Sequence, residues 1–97
     1  MIISFGNQLA QDLFDDKKSK QTRAFPAELF RVARRKLLYL HEADNLTDLR
    51  VPPGNRLEAL KGDLHGFYSI RINDQWRVIF KWSEDRASEV KILDYHR

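Results

Sequence analysis

The sequence predicts an α+β domain: an antiparallel, twisted β-sheet with its N-terminal helices packed on one face. Three observations lead there. Leu29, Val32, Ala33, Leu37 and Leu40 recur at three- and four-residue intervals, which is the period of a helix burying one stripe. Two runs rich in β-branched and aromatic residues, 67–72 and 76–82, flank the polar tripeptide Asn73-Asp74-Gln75, which is the form of a β-hairpin. The predicted order, strand, helix, helix and then strands joined by tight turns, is that of an α+β meander.

Taken in order, residues 1–5 are a short apolar run that reads as a strand tucking into the sheet. Asn7 is placed to cap a helix over residues 8–14, with Leu9, Leu13 and Phe14 on one side. Residues 15–22 are polar and predict an exposed loop. Pro26 suits the first position of the long helix and Glu28 its first turn, while Phe25 packs back as a staple; the helix should end near His41. Opposite the apolar stripe lie Arg31, Arg34 and Arg35, by default a solvated face. Residues 44–50 hold one more helical turn, which the stiff Val51-Pro52-Pro53-Gly54-Asn55 loop ends. Residues 56–60 return to an extended form, Gly62-Asp63 turns the chain into the hairpin, 83–88 form a loop, and 89–93 make the last strand.

The hairpin register follows from the side chains. A loop of three residues sets Ile72 opposite Trp76, Ile70 opposite Val78 and Tyr68 opposite Phe80, so that one face is continuously apolar. A two-residue loop would put Arg77 opposite Ile70 and mix charge with apolar groups on both faces. The three-residue loop leaves Ser69, Arg71, Arg77 and Lys81 on a face open to solvent. Arg71 and Arg77 then become cross-strand neighbours, a repulsive pair unless an anion lies between them, and two guanidiniums so held suit phosphate.

Length and composition limit the alternatives. Ninety-seven residues support one domain with a single core. With no cysteine, disulfides and thiolate metal sites are excluded and an intracellular chain is the simpler expectation. The opening run lacks a basic segment and is too short for a signal peptide, and no stretch approaches a membrane span, so a cytoplasmic protein without membrane association is expected. A net charge of +3 and a pI near 9.4 favour a polyanionic partner. His41, His65 and His96 lack the spacing of metal ligands, no phosphate-cradling glycine loop is present, and Ser69 has no nucleophile elbow; no metal or cofactor is expected.

What remains is a set of acidic, basic and cationic groups near strand ends: Glu58 and Lys61 before the hairpin, Arg71 and Arg77 on it, and Asp94, Tyr95 and His96 at the end of the last strand. Cleaving an RNA phosphodiester needs no metal if a base takes the 2′-hydroxyl proton, cations stabilise the phosphorane and an acid protonates the leaving 5′-oxygen. His96 suits proton transfer, Arg77 with Lys61 and Arg71 suits the phosphorane, and Tyr95 suits base stacking or hydroxyl donation. The plainer roles are solvated charges for Lys61 and Arg71, a frayed tail for His96, core packing for Tyr95, a helix C-terminal residue for His41, a turn for His65, and pairing of Glu58 with Arg56 or Lys61.

PPGNRLEALKGD, then GFYSIRINDQWRVIF, then the terminal VKILDYH, together resemble the RelE/ParE superfamily, and in particular its HigB, or plasmid-maintenance killer, branch. The likeness spans nearly the whole chain, and the order LKGD, INDQWR, DYH is what makes it specific. It implies a RelE-like fold and a type II toxin that cuts mRNA on the ribosome. It also implies a helix-turn-helix antitoxin of the HigA type, through which alone the toxin reaches operator DNA. By position, Arg77 would stabilise the transition state, Lys61 and Arg71 would bind phosphate, and Asp94, Tyr95 and His96 would form the acid/base and orienting cluster. The basic groups from Lys17 through Lys18 and Lys20 to Arg23, and from Arg31 through Arg34 and Arg35 to Lys36, would contact ribosomal RNA. One position departs from the pattern: some members carry a catalytic histidine where this chain has Glu58, so a carboxylate would stand as base there. A ParE-like inhibitor of DNA gyrase without enzymatic activity is the alternative within the same superfamily.

Overall fold

The computed structural model describes residues 1–95. Three α-helices, α1 (Gln8–Phe14), α2 (Lys20–Ala24) and α3 (Phe30–Glu42), precede four strands, β1 (Glu58–Ala59), β2 (Tyr68–Arg71), β3 (Trp76–Ser83) and β4 (Arg86–Asp94). The strands form one antiparallel sheet in the order β1-β2-β3-β4. Residues at the N-terminus extend it: Ile2 bridges Ala87 and Phe5 bridges Val90, both in parallel, which covers the outer edge of β4.

The hairpin register is the expected one. Tyr68 pairs with Phe80, Ile70 with Val78 and Arg71 with Arg77. Asn73 fixes the loop, because its carboxamide oxygen accepts from the backbone N–H of Gln75 at 2.9 Å and of Trp76 at 2.8 Å. Ile70, Val78 and Phe80 are fully buried and share a core with Ala33, Leu37 and Leu40 of α3. The cap at Asn7 also forms as expected, and its side chain reaches further to β4, donating to the Ile92 carbonyl at 2.9 Å.

Four expectations need correction. Residues 15–22 are not all loop: a capping box between Ser19 and Thr22 starts α2, whose five residues carry too little apolar periodicity to be read as a helix. Residues 83–88 are not a loop: Ser83 pairs with Arg86 across the two-residue turn Glu84-Asp85, both residues at positive φ, so β4 begins at Arg86. A bulge conceals that strand in the sequence, since Glu89 at φ 51° and a register shift between Ile79 and Lys81 put Ala87 and Val90 on the same buried face. Third, the sheet face away from the helices is not fully open. Leu60, Phe67 and Ile79 form a small second core on it with Leu64 and Leu93, and Ser69 is buried there. Fourth, Lys36, expected with Arg31 to Arg35 in a basic group that contacts RNA, is turned into the protein. It is 7% exposed, and its ammonium donates to the buried Asn55 carboxamide at 2.6 Å. Burial above all, with Arg35 and Arg71 nearby, lowers its pKa below the ordinary lysine value. Asn55 in turn donates to the carbonyls of Leu49 and Val51, so a buried polar knot ties the proline loop to α3.

Candidate RNA-binding and catalytic site

The hairpin end of the sheet gathers most of the expected site. Alternation along β2 and β3 puts Arg71 and Arg77 opposite each other on the face away from α3, where their like charges need compensation. The chain supplies it from its own turn. Arg71 forms an ion pair with Asp74 at 2.5 Å, and one nitrogen of Arg77 donates to the carbonyls of Asn73 and, at 3.1 Å, Trp76. Asp74 is 98% exposed, and its carboxyl is held below the usual carboxylate range by the Arg71 hydrogen bond first, then by the charges of Arg71, Arg77 and Arg56. The Arg71 guanidinium thus meets this carboxylate directly, while the charges of Arg77 and Arg56 act on it from further away.

The end of β4 closes the cluster from the other side. Tyr95 donates its backbone N–H to the Gln75 carbonyl at 2.5 Å, and its ring lies 5.6 Å from the Arg77 guanidinium carbon. Asp94 accepts from the Gln75 carboxamide at 2.9 Å. The Asn73-Asp74-Gln75 loop thus positions Arg71, Arg77, Asp94 and Tyr95 together. Glu58 stands on edge strand β1 opposite Ser69, two strand positions from Arg71. Lys61 lies beyond Leu60, whose N–H donates to Phe67, so the backbone register places it toward the opposite end of the sheet from Arg71. His96 lies outside the described residues.

The basic groups of the helical layer form a separate region. Lys18 and Lys20 are exposed at the start of α2, and Arg35 is exposed on α3. Arg34 is half-buried and lines a small cavity with Asp12, Lys17, Lys18 and Thr22. Asp12 is itself buried, and hydrogen bonds from Ser19 and Gln8, the latter at 2.7 Å, lower its pKa. His41 accepts from the Ile2 N–H at 3.1 Å and meets Phe14 edge-on, so it ties the first strand to α3. Asp74 and Arg56 were not expected in the site. Asp74 reads as an ordinary turn residue; Arg56, which follows the buried Asn55 with a left-handed backbone at φ 47°, bears on the cluster through its charge on Asp74.

Comparison with known proteins bears on the family and the fold. A family model described as the RelE-like toxin of the type II toxin-antitoxin system HigB matches residues 3–96. Toxin HigB-1 of Vibrio cholerae serotype O1 is 38% identical over 97 residues, covering all of this chain and 99% of that one. An uncharacterized protein of Haemophilus influenzae is 39% identical over 71 residues, 73% of this chain and 69% of its own length. Among solved structures, the YoeB-YefM complex from Staphylococcus aureus contains a chain that superposes with a TM-score of 0.60 at 15% identity, covering 100% of this chain and 99% of that one, which is a likeness of fold.

Proposed function

The chain belongs to the HigB-like family of RelE-like toxins of type II toxin-antitoxin systems, and from that premise we propose that it inhibits translation as a ribosome-dependent, metal-independent mRNA endoribonuclease. The observation that supports this reading is the cross-strand pair Arg71 and Arg77 with Tyr95 against it, a cationic and aromatic cluster of the kind that suits a ribose-phosphate backbone. A substrate phosphate displaces Asp74 from Arg71. Proton abstraction from the 2′-hydroxyl, by Glu58 or His96, lets that oxygen attack phosphorus; Arg77 and Arg71 stabilise the phosphorane charge. Protonation of the departing 5′-oxygen by the Asp94, Tyr95 and His96 cluster completes the cleavage, leaving a 2′,3′-cyclic phosphate and a 5′-hydroxyl. A helix-turn-helix antitoxin of the HigA type neutralises the toxin and carries it to operator DNA.

Induction of variants in cells, with RNA ends mapped and DNA integrity followed, tests this. Arg77→Ala and His96→Ala should relieve growth arrest while the proteins remain folded and still bind the antitoxin. Loss of one group that stabilises the transition state should slow cleavage roughly 10²–10³-fold. Full toxicity in both variants, or broken DNA without codon-phased RNA ends, would reject the nuclease reading, the latter in favour of gyrase inhibition.

A further inference from the structure

At the other end of the same sheet face, two lysines close on one aromatic ring. The ammonium of Lys81 lies 5.3 Å and that of Lys91 5.2 Å from the centroid of Phe67. Lys81 is paired with Glu89 at 3.0 Å, whereas no carboxylate of the described residues lies within ion-pair distance of Lys91. The stem of Lys91 is clamped. A Cβ on Gly6 would fall 2.6 Å from its Cε and 2.7 Å from its Cγ, so the Gly6 backbone lies against one side of the lysine while its ammonium approaches the Phe67 ring. Covering the Leu60, Phe67 and Ile79 patch needs only apolar stems, yet here it carries two like charges with one counter-charge. A lysine already held in this way gives up little rotamer freedom on meeting an anion.

Deepening the nuclease reading and resting on it, we infer that Lys81 and Lys91 form a second phosphate site for the same class of ligand, the backbone of single-stranded RNA. Arg77, Ile79 and Lys81 alternate onto one face of β3, which places Lys81 about 14 Å along the strand from Arg77, and Lys91, opposite Ile79, about 7 Å along it, at ~3.4 Å per residue. A strand engaged at Arg77 can cross Ile79 and reach them. An acidic segment of a protein partner would meet the same lysines, but it would have no reason to share a face with the Arg71 and Arg77 pair.

The test measures binding of a fluorescein-labelled U12 RNA to the full-length protein by anisotropy across potassium chloride concentrations. Lys81→Met and Lys91→Met keep the apolar stem over Phe67 and should leave the melting temperature unchanged. Each should weaken binding several-fold and lower the slope of log K against log salt by about 0.7, the value for one phosphate contact on a single strand. Lys91→Arg should restore most of the loss. On ribosomes, a loss that vanishes when the mRNA is shortened to end at the cleavage site assigns the site to mRNA. A loss that persists assigns it to ribosomal RNA, and either supports an RNA phosphate site. Unchanged slopes, no RNA binding by the unsubstituted protein, or a defect confined to antitoxin capture would overturn it. Cleavage that depends on Arg77 despite unchanged slopes removes this site alone, whereas altered slopes without cleavage remove the nuclease reading and leave the site standing.

Discussion

Arg71 of the proposed site is occupied by a neighbour on its own turn. Its partner Asp74 is almost fully exposed, so the pair is weak and salt-sensitive, and on the proposed reading a phosphodiester, its single charge shared by two oxygens, would displace it. Replacing Asp74 with Asn should therefore tighten RNA binding by roughly two- to five-fold and reduce the competition, as titration of labelled RNA would show; weaker binding would mean that Asp74 orients Arg71 instead of occupying its place. The two acids with lowered pKa, Asp12 and Asp74, set the acid limb of stability. Each contributes fully above the unfolded carboxylate value of about 3.9, and the contribution fades as pH falls through the lower folded value. Urea midpoints should thus drop below about pH 4, and Asp12→Asn should flatten that drop. Lys36 has the opposite sign: its folded form releases a proton more readily than the unfolded chain, so the penalty of burying it is present at neutral pH and fades as pH rises toward about 10. Nothing in the sequence around Lys36 separates it from the arginines beside it, because only the fold reveals that Asn55 awaits its ammonium.

Among the elements, the hairpin was the most legible, because alternation, a polar tripeptide and the cost of burying Arg77 all select one register. β4 was legible only in its second half. Its first half hides behind the Glu89 bulge and behind Glu84 and Asp85, residues that rarely occupy the left-handed region that a two-residue turn demands. That conflict between residue type and backbone predicts a gain. Glu84→Asn with Asp85→Gly should stabilise the protein by about 1 kcal/mol, read as a higher melting temperature with unchanged toxicity. The knot at Asn55 predicts a loss. Asn55→Ala strands the Lys36 ammonium and two buried carbonyls and should cost about 3 kcal/mol in chemical denaturation; a cost under about 1 kcal/mol would mean that water replaces the carboxamide. Because Arg56 follows Asn55 directly, the same variant should also weaken RNA binding.

For the molecule as a whole, the α+β class and the placement of helices on one sheet face followed from periodicity, while the second small core on the opposite face did not, since Leu60, Phe67 and Ile79 belong to three separate segments and meet only through strand pairing. Both cationic regions of that face depend on the sheet being complete, and its completion joins the two ends of the chain. The backbone of residues 1–6 hydrogen-bonds to Ala87 and Val90 on the last strand. Residues 1–6 therefore have no strand partner until β4 has been made, and such long-range pairing is slow to form. Assembly of this face is thereby deferred until β4 is available to pair, so neither cationic region takes shape on a chain that still lacks it.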